Sequence, residues 1–291
     1  MNINIGDITK PITALIKKIL NATGILYEPT QIVRVAKAEA ERDRIRKESQ
    51  IENAELERRA LERIKSEEIR KQRNIEGVIH LALPLLDEKA DPTKVEDDWI
   101  ANFFDKSKLI SDSDMQNLWS RILAGEANAP GSFSKRSVNY LSSLDKSDAQ
   151  LFTNLCTFGW QIGKIIPLVY DLDDEVYERH DITTNSLKHL NDIGLIQFDN
   201  TNTFRISQRT KIGPPVKLTV FYYEKPTHIE LSLQSGYTLG GGHVHLTQVG
   251  QELAPICGST PDDDFYEYVV TKWKKWGYIK EEITENQADL E

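Results

Sequence analysis

Residues 31–80 read QIVRVAKAEAERDRIRKESQIENAELERRALERIKSEEIRKQRNIEGVIH, and this stretch decides the architecture. It holds no proline, and its first glycine is Gly77. Ala, Glu, Arg and Lys dominate it, and these are strong helix formers. Opposite charges recur four residues apart, at Asp43 and Lys47, Glu55 and Arg59, and Glu67 and Lys71, as they do along a solvated helix. The pattern predicts one long charged helix, roughly 75 Å at 1.5 Å per residue. Its apolar stripe is thin: Ile45, Ile51, Leu56, Leu61, Ile64, Ile69 and Ile75. The intervals 45–56 and 64–75 are both eleven residues and no strict heptad is sustained, so a regular zipper is not indicated. Three readings remain for such a rod. It stands alone in solvent, it associates loosely or antiparallel with another helix (within or between chains), or its arginines contact nucleic acid. Residues 31–76 carry 13 Lys/Arg against 11 Asp/Glu, so the acids largely neutralise the third reading. Association, as a homo-oligomer or with a partner protein, is the favoured expectation.

Upstream, residues 1–30 predict a short amphipathic helix. Pro11 suits a first turn, and Ile12, Leu15, Ile16, Ile19 and Leu20 follow helical spacing. Docking on the protein's own body is the favoured reading. Peripheral membrane contact by residues 8–21 is the alternative, because the polar face carries Lys17 and Lys18. Downstream, residues 81–165 read as a helical domain. Pro84 ends the long helix. Trp99 to Asp105 is amphipathic. Ser111 or Ser113 caps a helix that Gly125 closes, and Ser134 caps the next. A further helix is expected from Lys146 to Ile162.

Residues 166–280 read as a winged-helix-like α+β domain. A helix ends in Leu190-x-x-x-Gly194-Leu195-Ile196, and residues 195–198 and 203–206 alternate like a hairpin. A later segment reads Leu246-Thr-x-x-Gly250-x-Glu-Leu253. A last helix places Phe265, Val269, Trp273 and Trp276 on one side. Residues 281–291 are expected to be a disordered acidic tail. The fold class is therefore mainly α with a smaller α+β part: a long N-terminal charged helix, a helical domain and a winged-helix-like C-terminal domain.

The net charge of −9 argues against non-specific nucleic-acid binding over the whole surface. Two cysteines, Cys156 and Cys257, make neither a disulfide framework nor a four-ligand zinc site, and each reads as a small buried hydrophobe. No signal peptide or run of about 18 apolar residues is present, so no transmembrane segment is expected and the cytoplasm is the expected location.

Chemistry is sparse. His243 and His245 share one face of an expected strand, but no third ligand stands at a suitable spacing, so no metal is expected. Gly240-Gly-Gly242 lacks the lysine of a phosphate loop and reads as a flexible turn. Asp262-Asp-Asp264 suits a helix start. Glu126 follows an expected helix end, where the dipole disfavours an acid. A hydrogen bond from Ser132 or Arg136 would make it a structural lock, and the alternative is a binding site formed by these three. On the winged-helix-like part, Lys188, His189 and Arg205, with Arg209 and Lys211, are the candidate nucleic-acid contacts, opposed by Asp181, Asp192 and Asp199. No catalytic residue and no cofactor is expected.

The segment Trp119-Ser-Arg-Ile-Leu-Ala-Gly-Glu126, followed by Pro130-Gly-Ser-Phe-Ser134, resembles the hallmark of a bacterial family catalogued only as a domain of unknown function. Proteins similar to it also carry Ala22-Thr-Gly-Ile-Leu-Tyr-Glu-Pro29 and Ala36-Lys-Ala-Glu-Ala40. The resemblance implies a bacterial cytoplasmic protein and no reaction. The function expected is a non-enzymatic scaffold that self-associates through its long helix. A nucleic-acid-binding module, as a regulator or phage-response component, is the alternative. An enzyme in which Glu126, Ser132, Arg136 and His243 converge is the third.

Overall fold

The computed structural model describes residues 10–27, 54–207, 214–232 and 235–280. The upstream part of the expected rod (31–53), the Ala36–Ala40 segment, Arg209, Lys211 and the tail 281–291 lie outside the described residues. The chain is mainly α with a smaller α+β part, and it divides into two compact units, Met1–Ser143 and Leu144–Glu291.

The first unit is helical. Helix α1 (Lys10–Thr23) buries Pro11, Leu15 and Ile19. Helix α2 (Ala54–Ala82) is the described part of the charged rod. It gives way to a 3₁₀ turn, Leu83–Leu85, because Pro84 has no N–H to continue the helical ladder. Helices α3 (Asp97–Ser107), α4 (Ser113–Asn128) and α5 (Lys135–Leu141) complete the unit. Helix α2 packs on α4, α1 on α3, and α3 on α5. The core joins Val78, Ile79 and Ala82 to Trp99, Phe103, Trp119, Ile122 and Val138. Phe103 stacks offset on Trp99 and meets Trp119 edge-on, with centroids 5.2 and 5.1 Å apart. Asn74 ties α2 to the α3–α4 loop by donating to the Lys108 carbonyl (2.9 Å) and to Ser111 Oγ (3.1 Å).

Two sequence expectations change here. The α4 cap is Asp112, whose carboxylate accepts from the N–H groups of Asp114 and Met115, not Ser111 or Ser113. Gly125 does not end α4. It lies one turn inside, where a Cβ would come within 2.6 Å of the Phe133 ring.

The second unit mixes helices and small antiparallel sheets. Helix α6 (Lys146–Cys156) stops short of the expected Ile162, and β1 (Gly159–Ile162) turns back through β2 (Lys164–Pro167). Short helix α7 (Glu175–Glu178) and α8 (Thr184–Asp192) follow. Strands β3 (Ile196–Phe198), β4 (Phe204–Ser207), β5 (Val216–Tyr222), β6 (Lys225–Leu231), β7 (Thr238–Gly242) and β8 (Val244–Leu246) come next, then α9 (Gln248–Leu253) and α10 (Asp263–Lys275). One sheet has the order β2-β1-β5-β6. The expected hairpin between residues 195–198 and 203–206 is absent. Strand β3 pairs with β8 and β4 with β7, so the two alternating stretches form one arm of a bent ribbon. Asp199 breaks that arm by folding its carboxylate over the N–H groups of Thr201 and Asn202.

Phe158, Trp160, Tyr177, Tyr222, Phe265 and Trp273 form the aromatic core of this unit. Trp276 leaves the expected buried face of the last helix. It caps α10, sits 43% exposed and meets Tyr170 edge-on.

Candidate functional site

The motif that carries the family likeness is a folding device around one buried acid. Glu126 lies in the last turn of α4 and is only 4% exposed. Its Oε1 accepts from the Gly131 N–H at 2.7 Å, and its Oε2 accepts from the Phe133 N–H at 2.9 Å. The α4–α5 loop therefore wraps its main-chain donors around the carboxylate. Phe133 closes the loop: its ring lies against Gly125, and its carbonyl accepts from Trp99 Nε1 at 2.7 Å. Ser132 Oγ donates to the Ala129 carbonyl, Ser134 caps α5 by accepting from the Ser137 N–H, and Arg136 is exposed. Glu126 is thus held by main-chain donors, where the sequence suggested the side chains of Ser132 or Arg136. Burial raises its carboxyl above the usual range, the N–H groups of Gly131 and Phe133 partly offset this, and Glu96 adds to the rise.

On the second unit, α8 presents Lys188 and His189 as exposed residues. The Nε2 of His189 lies 2.8 Å from Asp148 on α6. Arg205 is exposed on β4. His243 and His245 do not form a pair of ligands. His243 falls in the bend between β7 and β8, with Nδ1 2.8 Å from the Asp199 carbonyl, while His245 stands in β8 beside the Phe204 ring. The Gly240–Gly242 triplet is strand, not a flexible turn. Gly242 has φ +75° and lies so close to Val169 that a Cβ would come within 2.3 Å of its carbonyl oxygen. Each acid of residues 262–264 has a partner: Asp262 holds His180 and caps α10, Asp263 pairs with Lys225, and Asp264 pairs with Arg179. Among the described residues, no group of three His, Cys, Asp or Glu side chains could hold a metal ion.

One feature escaped the sequence reading, and a second divides the apolar stripe that the sequence itself draws. Cys156 and Cys257, about a hundred residues apart, are neighbours in the fold, where the Thr153 hydroxyl, one turn before Cys156, donates to the Cys257 carbonyl at 3.2 Å. The second feature lies on α2. Ile75, Val78, Ile79 and Ala82 are buried, whereas Leu56, Leu61, Ile64 and Ile69 are 63%, 43%, 48% and 43% exposed. Leu61 and Ile64 each precede Ile75 and Val78 by fourteen residues, two heptads, which returns them to nearly the same helical face. The charged flanks of α2 are self-satisfied: Arg58 pairs with Glu55 and Glu62, and Glu67 pairs with Arg63 and Lys71.

Fold and motif together define a helical unit locked by a buried glutamate, followed by an α+β unit. The chain belongs to the family described as "Protein of unknown function (DUF2806)", whose model matches residues 58–270. No curated protein and no solved structure matches it. Among the described residues, no helix is long and apolar enough to cross a membrane.

Proposed function

We propose that this protein is a non-enzymatic scaffold that self-associates through α2, with a second copy as the occupant of its exposed apolar face. One observation carries the reading: the face that seals the core at Ile75, Val78 and Ala82 continues as exposed Leu61 and Ile64. A twofold antiparallel pair sets the same patch against itself.

The size of the effect sets the kind of contact. Full burial of a Leu or Ile is worth about 1.5–3 kcal/mol, so four half-exposed side chains contribute on the order of 4 kcal/mol. Association costs ~4–15 kcal/mol, so these four side chains at most balance the lower end of that cost, and pairing through α2 is weak, dependent on concentration and in need of further contacts along the helix. Leu56 and Ile69 widen the apolar surface.

Further support comes from the family motif, whose polar groups are engaged within the fold: Glu126 by two N–H groups, Ser132 by Ala129, and Ser134 by Ser137. At α1, Leu15 and Ile19, which a membrane-surface helix would put into lipid, are buried, and Lys18 pairs with Asp97. Amine cross-linking of mixed light and heavy-isotope copies tests the pairing. Links between Lys65 of two copies are expected, and a cross-link map with no interchain contact in α2 would sink the proposal.

A second reading, nucleic-acid contact by the winged-helix-like part, has the exposure of Lys188 and Arg205 in its favour. It requires binding that weakens steeply with salt. No shift of duplex or single-stranded nucleic acid at low salt would end it.

A further inference from the structure

Cys156 is the last residue of α6, and Cys257 follows the Ala254–Ile256 turn. Two contacts clasp these segments together. Thr153, one turn before Cys156, donates its hydroxyl to the Cys257 carbonyl at 3.2 Å. Tyr223, beyond β5, places its hydroxyl 3.5 Å from the Cys156 carbonyl and 2.9 Å from Ser259 Oγ. These contacts bring the two cysteines to one place in the fold. Cys156 is buried, whereas Cys257 is half-buried and flanked by exposed Pro255 and Gly258. The Cys257 S–H donates to the Ala254 carbonyl at 3.2 Å, and the Cys156 thiol lies beside it.

We propose that Cys156 and Cys257 are a redox pair, with Cys257 the reactive thiol and Cys156 the resolving one, and that a hydroperoxide converts them to an intramolecular disulfide. The Cys257 thiolate attacks the peroxide, so that a sulfur–oxygen bond forms, the O–O bond breaks, and the departing oxygen takes the thiol proton and leaves as water or alcohol. Cys156 then attacks the sulfenic sulfur. The S–S bond forms, the S–O bond breaks, and the hydroxyl leaves as water with the Cys156 proton. The two thiols lose two electrons in all, and the peroxide gains them.

The surroundings assign the roles. The Cys156 thiol beside it holds Cys257 below the usual thiol range, and burial raises Cys156 well above that range. The bridge would close a loop of about a hundred residues within the second unit, and cross-links of long loops restrict the unfolded chain most.

Treating the reduced full chain with one equivalent of hydrogen peroxide, then alkylating it in denaturant, tests this. Both thiols should disappear together in monomeric protein, a peptide joining residues 156 and 257 should appear, and dithiothreitol should restore both. Cys156→Ser should instead accumulate a Cys257 sulfenic acid that dimedone traps. In Cys257→Ser, the remaining thiol should react with peroxide at least tenfold more slowly. Disulfides formed only between chains, or wild-type protein that accumulates sulfenic or sulfinic Cys257 while Cys156 stays alkylatable, would overturn the proposal. Because the wild-type readout decides alone, it stands even where a variant fails to fold.

Discussion

The two halves of α2 share one chemistry and meet opposite fates. From residue 75 to residue 82 the helix is sealed: Val78, Ile79 and Ala82 are fully buried, and Ile75 is nearly so. From residue 55 to residue 70 the same helix stands in solvent, held by ion pairs along its flanks, with Leu61 and Ile64 uncovered on the continuing face. The first half is covered by the core of the first unit, and among the described residues the second half is left uncovered. The exposed apolar groups are what the proposed pairing would bury, whereas exposed ion pairs add little stability because water and salt screen them.

Substitution in the buried half should have the largest effect. Ile79→Ala removes a fully buried side chain, and the resulting cavity should lower the stability of the first unit by about 2–5 kcal/mol in thermal denaturation. Glu126→Ala comes next. It strands the Gly131 and Phe133 N–H groups and should cost about 2–4 kcal/mol in the same assay.

The acid also gives a pH test. Its carboxyl titrates higher in the folded chain than in the unfolded one, so the stability tied to its protonated form is present at low pH and lost as pH rises through the folded value. Wild type should therefore gain stability relative to Glu126→Gln as pH falls from neutral toward the ordinary glutamate range. A difference that is flat or opposite in sign would show that burial does not govern this group.

The exposed half should behave otherwise. Leu61→Asp with Ile64→Asp should leave the melting temperature of the first unit unchanged within experimental scatter, since neither side chain belongs to the core. Arg58→Ala should have the smallest effect, with no resolvable change in melting temperature at moderate salt. A large loss of stability in either variant would mean that the two halves are not the separate environments described.

The same contrast explains what could be read from the sequence. Helices α2, α3, α5 and α10 announce themselves, because apolar residues at helical spacing and caps such as Asp262 on α10 and Ser134 on α5 act within a few residues. The α4 cap was ambiguous because Ser111, Asp112 and Ser113 are all competent cappers, and only the fold chooses Asp112. The expected hairpin misled because its two alternating stretches pair with β8 and β7, some forty residues downstream. Glu126 was recognisable as misplaced on a helix end, but its partners are main-chain N–H groups, which every residue but proline carries and no sequence distinguishes. The thiol pair was invisible for a similar reason: nothing local to Cys156 points to Cys257.

Self-association through the uncovered half of α2 is the central claim, and sedimentation velocity on wild type and the Leu61→Asp, Ile64→Asp variant over a wide concentration range tests it most directly. The wild-type coefficient should climb with concentration, and the equally stable variant should stay at the monomer value throughout. Wild type that never leaves the monomer value, or a variant that associates just as well, would contradict the claim.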